Sequence, residues 1–158
     1  MFRADPIPAA AIVVNLSVFG LLLLAGCSNN GDPFSYVKVS GKATYQDGTL
    51  IPAPKIMLSF LPQTEAVGKA HPHLAWALVD TNTGEFRNVT THTPHDGLVR
   101  GKHKVQITGP DHAPLPTSLV PAEYADFKNT PLEVDTDHLP FEIKVSKPAS
   151  GSGEGARR

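Results

Sequence analysis

Val37, Val39, Gly41, Ala43 and Tyr45 alternate with Lys38, Ser40, Lys42 and Thr44. This two-residue period marks a strand with one buried face. Asp47-Gly48 closes the run with turn chemistry, since glycine tolerates positive φ. In the stretch IPAP, residues 51–54, both prolines lack an N–H and cannot occupy a central strand. Ile56, Leu58 and Phe60 alternate with Lys55, Met57 and Ser59, which predicts a second strand that stops at Pro62. A polar loop over 63–72 leads to a third strand from Leu74 to Val79, and the turn Asp80-Thr81-Asn82-Thr83-Gly84 leads to a fourth opened by Phe86. Beyond Gly101, the residues His103, Val105 and Ile107 alternate with Lys102, Lys104 and Gln106. A proline-rich connection over 109–131 follows, then a short strand at Leu132 and Val134. Phe141, Ile143 and Val145, set against Glu142 and Lys144, close the series. Short strands at this spacing, without a 3.6-residue period, predict an all-β fold: an antiparallel β-sandwich of about seven strands.

The longest apolar run does not fit that pattern. Residues 12–25 read IVVNLSVFGLLLLA, which is short for a membrane-spanning helix and suits the apolar region of a secretory signal. Arg3 places one positive charge ahead of it, partly offset by Asp5. The run ends in Leu24-Ala25-Gly26-Cys27, which resembles the bacterial lipobox; the resemblance implies cleavage before Cys27 and lipid on its sulfur. Cys27 is the only cysteine of the chain, so a disulfide would need a second molecule, and the following SNNGDP is too polar for a core thiol. Burial of lipid stabilises by about 0.8 kcal/mol per CH₂, and a single chain anchors only marginally. The several acyl chains that the lipobox implies hold the protein in the bilayer essentially permanently. Ser28 after the cysteine, by analogy with Gram-negative bacteria, favours the outer membrane over the inner one.

The organisation expected is a lipoprotein signal peptide over 1–26, a lipidated tether over 27–35, a β-sandwich over 36–146 and a disordered tail over 147–158, a stretch rich in Gly and Ser. The localisation expected is the cell envelope, facing the periplasm or anchored in the outer membrane. Fourteen Lys and Arg against 15 Asp and Glu, scattered along the 158 residues, leave no basic stripe for nucleic acid. The roughly 110 residues of the body suffice for a core without disulfides.

Four segments follow one another in order: VSGKATYQDGTLIPAPKIMLSFLP, DTNTGEF, HDGLVRGKHKVQITGP and LVPAEYADFKNTPLEVDT. Together they resemble the small planctomycete-type lipoproteins with a transthyretin-like, or carboxypeptidase-regulatory-like, domain. The resemblance runs from about Val37 to Val145 and rests on order and spacing. It implies a small β-sandwich in a secreted or surface protein, without an assigned activity.

Several chemistries compete for the remaining polar residues. Asp80 to Gly84 looks like a calcium loop, but Asp80 and Glu85 are its only carboxylates, and calcium takes six to eight oxygens. A turn in which Asp80 and Asn82 bond their own backbone is the simpler reading. Seven histidines are many for this length. His71 and His73 share a direction at i, i+2 spacing, and His92 and His95 flank Thr93-Pro94. If these two pairs met, the four imidazoles would make a zinc or copper site; otherwise they are solvated loop histidines.

Trp76 shares its parity with Leu74 and Leu78, which predicts a core residue; facing outward, it would be a platform for carbohydrate. Lys102 and Lys104 read as a solvated strand face, and the sequon Asn88-Val89-Thr90 has little meaning in a bacterial lipoprotein. No catalytic set assembles. Hydroxyisourate hydrolases of the transthyretin-like fold carry a terminal Tyr-Arg-Gly-Ser, whereas this chain ends Gly-Ala-Arg-Arg. Intradiol dioxygenases need two tyrosines and two histidines around iron; here only Tyr36, Tyr45 and Tyr124 exist, and Tyr45 falls on a buried face. The expectation is a non-enzymatic module without a cofactor other than the Cys27 lipid. Its partners would be the bilayer and an envelope protein or glycan, and the alternative is a histidine-based metal binder.

Overall fold

A computed structural model describes residues 32–148. The signal peptide over 1–26, Cys27 and most of the tether lie outside the described residues, as does the tail from residue 149. The described strands are β1 (Tyr36–Val37), β2 (Gly41–Tyr45), β3 (Ile56–Pro62), β4 (Ala75–Val79) and β5 (Glu85–Phe86). They continue with β6 (Leu98–Val99), β7 (Lys102–Thr108), β8 (Glu133–Asp135) and β9 (Phe141–Val145). Seven of them form one sheet in the order β8-β7-β3-β4-β5-β2-β9, while β1 and β6 pair separately. The all-β, sandwich-like fold predicted from the periodicity is the one observed.

One seam departs from the antiparallel expectation. β9 lies parallel to β2, from Gly41 opposite Phe141 to Tyr45 opposite Val145. A hairpin forces antiparallel pairing, but β2 and β9 are joined through the whole intervening domain, which permits either direction. Gly41 is needed at this seam: a Cβ there would stand 2.4 Å from the Phe141 carbonyl oxygen and 2.8 Å from the Phe86 ring. The single long strand expected over 37–45 is accordingly two, with β1 turning away to pair with β6 and β2 starting at Gly41.

The sheet curls over its own core. The ring of Phe60 on β3 lies 5.9 Å from that of Phe86 on β5 and 6.4 Å from that of Phe141 on β9. Ile56, Leu58, Val105, Ile107, Ile143 and Val145 fill the space around these rings and are all buried. The two sheet edges come close without pairing: a hollow of about 380 Å³ has Val134 and Asp135 of β8 on one side and Phe141 and Glu142 of β9 on the other. Glu142 and Lys144 face outward on the β9 edge, charge that discourages pairing with another chain.

β3 is central and buried on both faces, because Met57 and Ser59 are covered as well as Ile56, Leu58 and Phe60. The connection over 109–131 is no loose loop. The Tyr45 hydroxyl donates to the Leu119 carbonyl at 2.7 Å, and the Thr130 hydroxyl donates to the Val105 carbonyl at 2.7 Å. The Gln106 amide donates to the Ala125 carbonyl. Val120 and Tyr124 join the core, and the Tyr124 hydroxyl meets that of Ser146 at 2.5 Å. His103 is also buried, its Nδ1 3.1 Å from the Gly101 carbonyl, the geometry of an N–H donating to that oxygen. Burial lowers its pKa below the ordinary 6.5, more than Gly101 and Asp135 restore.

Candidate functional site

β4 reverses the parity expected of it. Ala75 and Ala77 are each 1% exposed and point inward with Val79, whereas Trp76 is 43% exposed and Leu78 57%. Leu74, just ahead of the strand, is 41% exposed. The expectation of Trp76 as a core residue is therefore overturned. The register explains it: Phe60 lies opposite Ala75 and Leu58 opposite Ala77, so the inward side is already filled from β3 and admits only small neighbours. The large apolar residues of β4 are left on the outer face.

The partner of β4 on its free side is irregular. Val79 pairs with Phe86, and Trp76 pairs with Thr90. β4 advances three residues between these points and its partner four, so one extra residue bulges out. Asn88 sits in this bulge with a φ of 56°, a left-handed conformation that asparagine adopts more readily than most residues. Trp76 and Thr90 exchange both backbone hydrogen bonds, at 2.9 and 3.0 Å, which seals the strand pair beyond the bulge.

The bulge opens a groove of about 530 Å³ on the outer face. Trp76 and Leu78 give it an apolar floor, and Glu85, Arg87, Asn88 and His95 line it with polar groups. Arg87 donates to the Glu85 carboxylate at 2.7 Å, so the cation and one of the carboxylates satisfy each other. Asp80, at the end of β4, receives the Asn82 N–H at 2.9 Å, as expected of a strand-joining turn. A second hollow of about 320 Å³, bounded by Lys38 and Ser40, shares Arg87, Asn88 and His95 with the first. The groove thus runs on across the bulge.

The loop over 91–97 is held from its centre by Asp96. One oxygen of its carboxylate accepts the Thr91 N–H at 2.8 Å; the other accepts those of His92 at 2.9 Å and Thr93 at 2.8 Å. Burial pushes the Asp96 carboxyl up, but the backbone N–H groups of Thr93, Thr91 and His92 more than offset it, and the pKa lies below its ordinary 3.8. Gly97 closes the loop at a φ of 103°, where a Cβ would collide with the Val37 carbonyl oxygen at 2.0 Å. The His95 N–H donates to the Thr90 hydroxyl at 3.1 Å, which fixes the backbone that carries the imidazole at the groove.

Of the four candidate metal ligands, His73 and His92 come together, with ring centroids 5.2 Å apart and planes tilted by 35°. His95 lines the groove and His71 is exposed on the loop before β4. Among the described residues, no group of three or more His, Cys, Asp or Glu side chains is placed to hold a metal ion. Of the four-histidine convergence weighed as the alternative to solvated loop histidines, one contact forms, between His73 and His92.

Glu85, Arg87 and Asn88 were not identified as site residues from the sequence, since a bulge leaves no periodic trace. One signal was present: in LAWALV the small and large apolar residues alternate, and the small ones mark the crowded side. No family model, curated protein or solved structure matches the chain.

Proposed function

We propose that this chain is a lipid-anchored envelope protein whose β-sandwich is a non-catalytic binding module. It meets its partner through the outer face of β4. The observation that carries this reading is the exposed Trp76 on the floor of a groove whose loop is braced by Asp96 before any partner arrives. Leu74, Trp76 and Leu78 are exposed together on one face, the kind of apolar patch that marks an interaction surface, and rigid loops bind with less entropy to lose. The anchor is supported by the lipobox-like Leu24-Ala25-Gly26-Cys27 and by the absence of any second cysteine. The ordered segments between Val37 and Val145 support a place among transthyretin-like lipoproteins.

Two measurements test it together. Labelled palmitate is expected to enter the wild-type protein and not the Cys27→Ala variant. A photo-crosslinking residue at Leu78 is expected to capture a component of native envelopes, while one at Lys144 on β9 does not. Equal labelling of the variant overturns the anchor, and equal capture from both positions overturns the docking face.

The His73–His92 pair favours a second reading, a metal binder with imidazole ligands. Zinc or copper titrated calorimetrically into the protein should then release heat that His73→Ala removes; no heat from the wild type ends this reading.

A further inference from the structure

We propose that the β4 groove takes the neutral pyranose rings of an oligosaccharide, with one ring stacked on Trp76. This inference rests on the reading of the β4 face as the docking site and adds the chemical class of its occupant.

Three features of the groove select that class. The first is the pairing of charges. Arg87 donates to Glu85 at 2.7 Å, and Asp80, which accepts the Asn82 N–H at 2.9 Å, adds a second carboxylate to the lining. A phosphate or carboxylate ligand would meet one cation already balanced by Glu85 and two carboxylates that repel it. A hydroxyl can instead bridge the pair, donating to Glu85 and accepting from Arg87 without displacing either.

The second feature is the combination of one flat apolar surface with planar polar groups at its margin. A pyranose carries C–H bonds on its face and hydroxyls around its rim. An exposed indole matches the face, while the Asn88 amide, the Glu85 carboxylate and the Arg87 guanidinium match the rim. A purely apolar ligand such as an acyl chain would desolvate the Glu85–Arg87 pair and the Asn88 amide without giving any of them a new partner.

The third is that the strand edge at Trp76 is already used. Its N–H and C=O are both paired with Thr90, so an extended peptide cannot add to the sheet there. The volume of about 530 Å³ falls in the roughly 300–1,000 Å³ range of preformed small-ligand sites, and the continuation past Asn88 lets a chain of rings extend beyond the first.

The chain itself supplies the reporter, since Trp76 is its only tryptophan. The full-length lipoprotein, held in a detergent without a sugar head group, is titrated with three neutral hexasaccharides. These are built of β-1,4-linked glucose, β-1,4-linked N-acetylglucosamine and α-1,4-linked glucose. At least one is expected to give a saturable blue shift of the tryptophan emission, with an affinity unchanged between about 0.05 and about 0.5 M salt. Arg87→Ala keeps the reporter and should weaken binding about tenfold or more. Trp76→Ala, followed by calorimetry, should abolish it while leaving the thermal midpoint in place.

Three silent hexasaccharides overturn the inference. If the crosslinker at Leu78 then captures a protein, the docking face stands and only its occupant is wrong. If it captures nothing in particular, the docking reading fails as well. Binding that falls steeply with salt overturns the neutral class in favour of an anionic glycan.

Discussion

β4 and β9 are two five-residue strands of the same sheet, and they distribute their side chains in opposite ways. β9 turns Phe141, Ile143 and Val145 inward and presents Glu142 and Lys144 to water. β4 turns Ala75, Ala77 and Val79 inward and presents Trp76 and Leu78 to water. In β9 polarity decides which face is buried. In β4 no polar residue is available to decide it, and volume decides instead: the space beside Phe60 and Leu58 accepts a methyl group and not an indole. A strand that leaves large apolar residues half exposed forgoes part of the roughly 1.5–3 kcal/mol that full burial of each contributes. The proposed docking role of the outer β4 face would account for that loss.

The comparison is tested by removing volume from one inward face and adding it to the other. Ile143→Ala on β9 opens a cavity in a filled core and should destabilise by about 2–5 kcal/mol in urea unfolding. Ala77→Leu on β4 has the reverse fault, excess volume against Leu58, and should cost about 1–3 kcal/mol in the same measurement. A cost near zero there would show that the inner side of β4 has room, and the account of Trp76 would fall.

His103 sharpens the comparison from the polar side, as a titratable group on an inward face. Burial depresses its pKa below 6.5. As pH falls through 6.5, the unfolded chain binds a proton that the folded chain refuses, so stability declines until the lowered pKa is reached and then levels. Between about pH 7.5 and about pH 5.5 the wild type should lose more unfolding free energy than His103→Leu does. The smallest effect is expected outside. Trp76→Ser should shift stability by no more than about 0.5 kcal/mol, because the indole lies on the outer face beside Ser59 and outside the hydrophobic core cluster. A large loss would mean that the indole is structural.

Much of the fold was legible because turns and alternation are local. Asp47-Gly48, the turn at 80–84 and the alternation of β7 and β9 needed no distant information. What escaped depends on neighbours far along the chain. Ser59 reads as a solvent-facing residue, yet it is buried between Trp76 on β4 and Gln106 on β7. The outward turn of Trp76 depends on Phe60, and the split of the first strand depends on the approach of Phe141 to Gly41. At the site, the histidines were visible as residue types, whereas the Asn88 bulge exists only once β4 has found its partner.

The parallel seam of β2 with β9 sets when this domain is able to become itself. Its paired residues stand 100 positions apart, as at Gly41 and Phe141 (141 − 41 = 100), so the contact forms late and slowly relative to the hairpins. Until Val145 has been delivered, β2 is a bare edge and the Phe60 ring lacks Phe141. A chain still being synthesised would therefore carry this seam open for nearly its whole length, and would close it only when its last strand arrived.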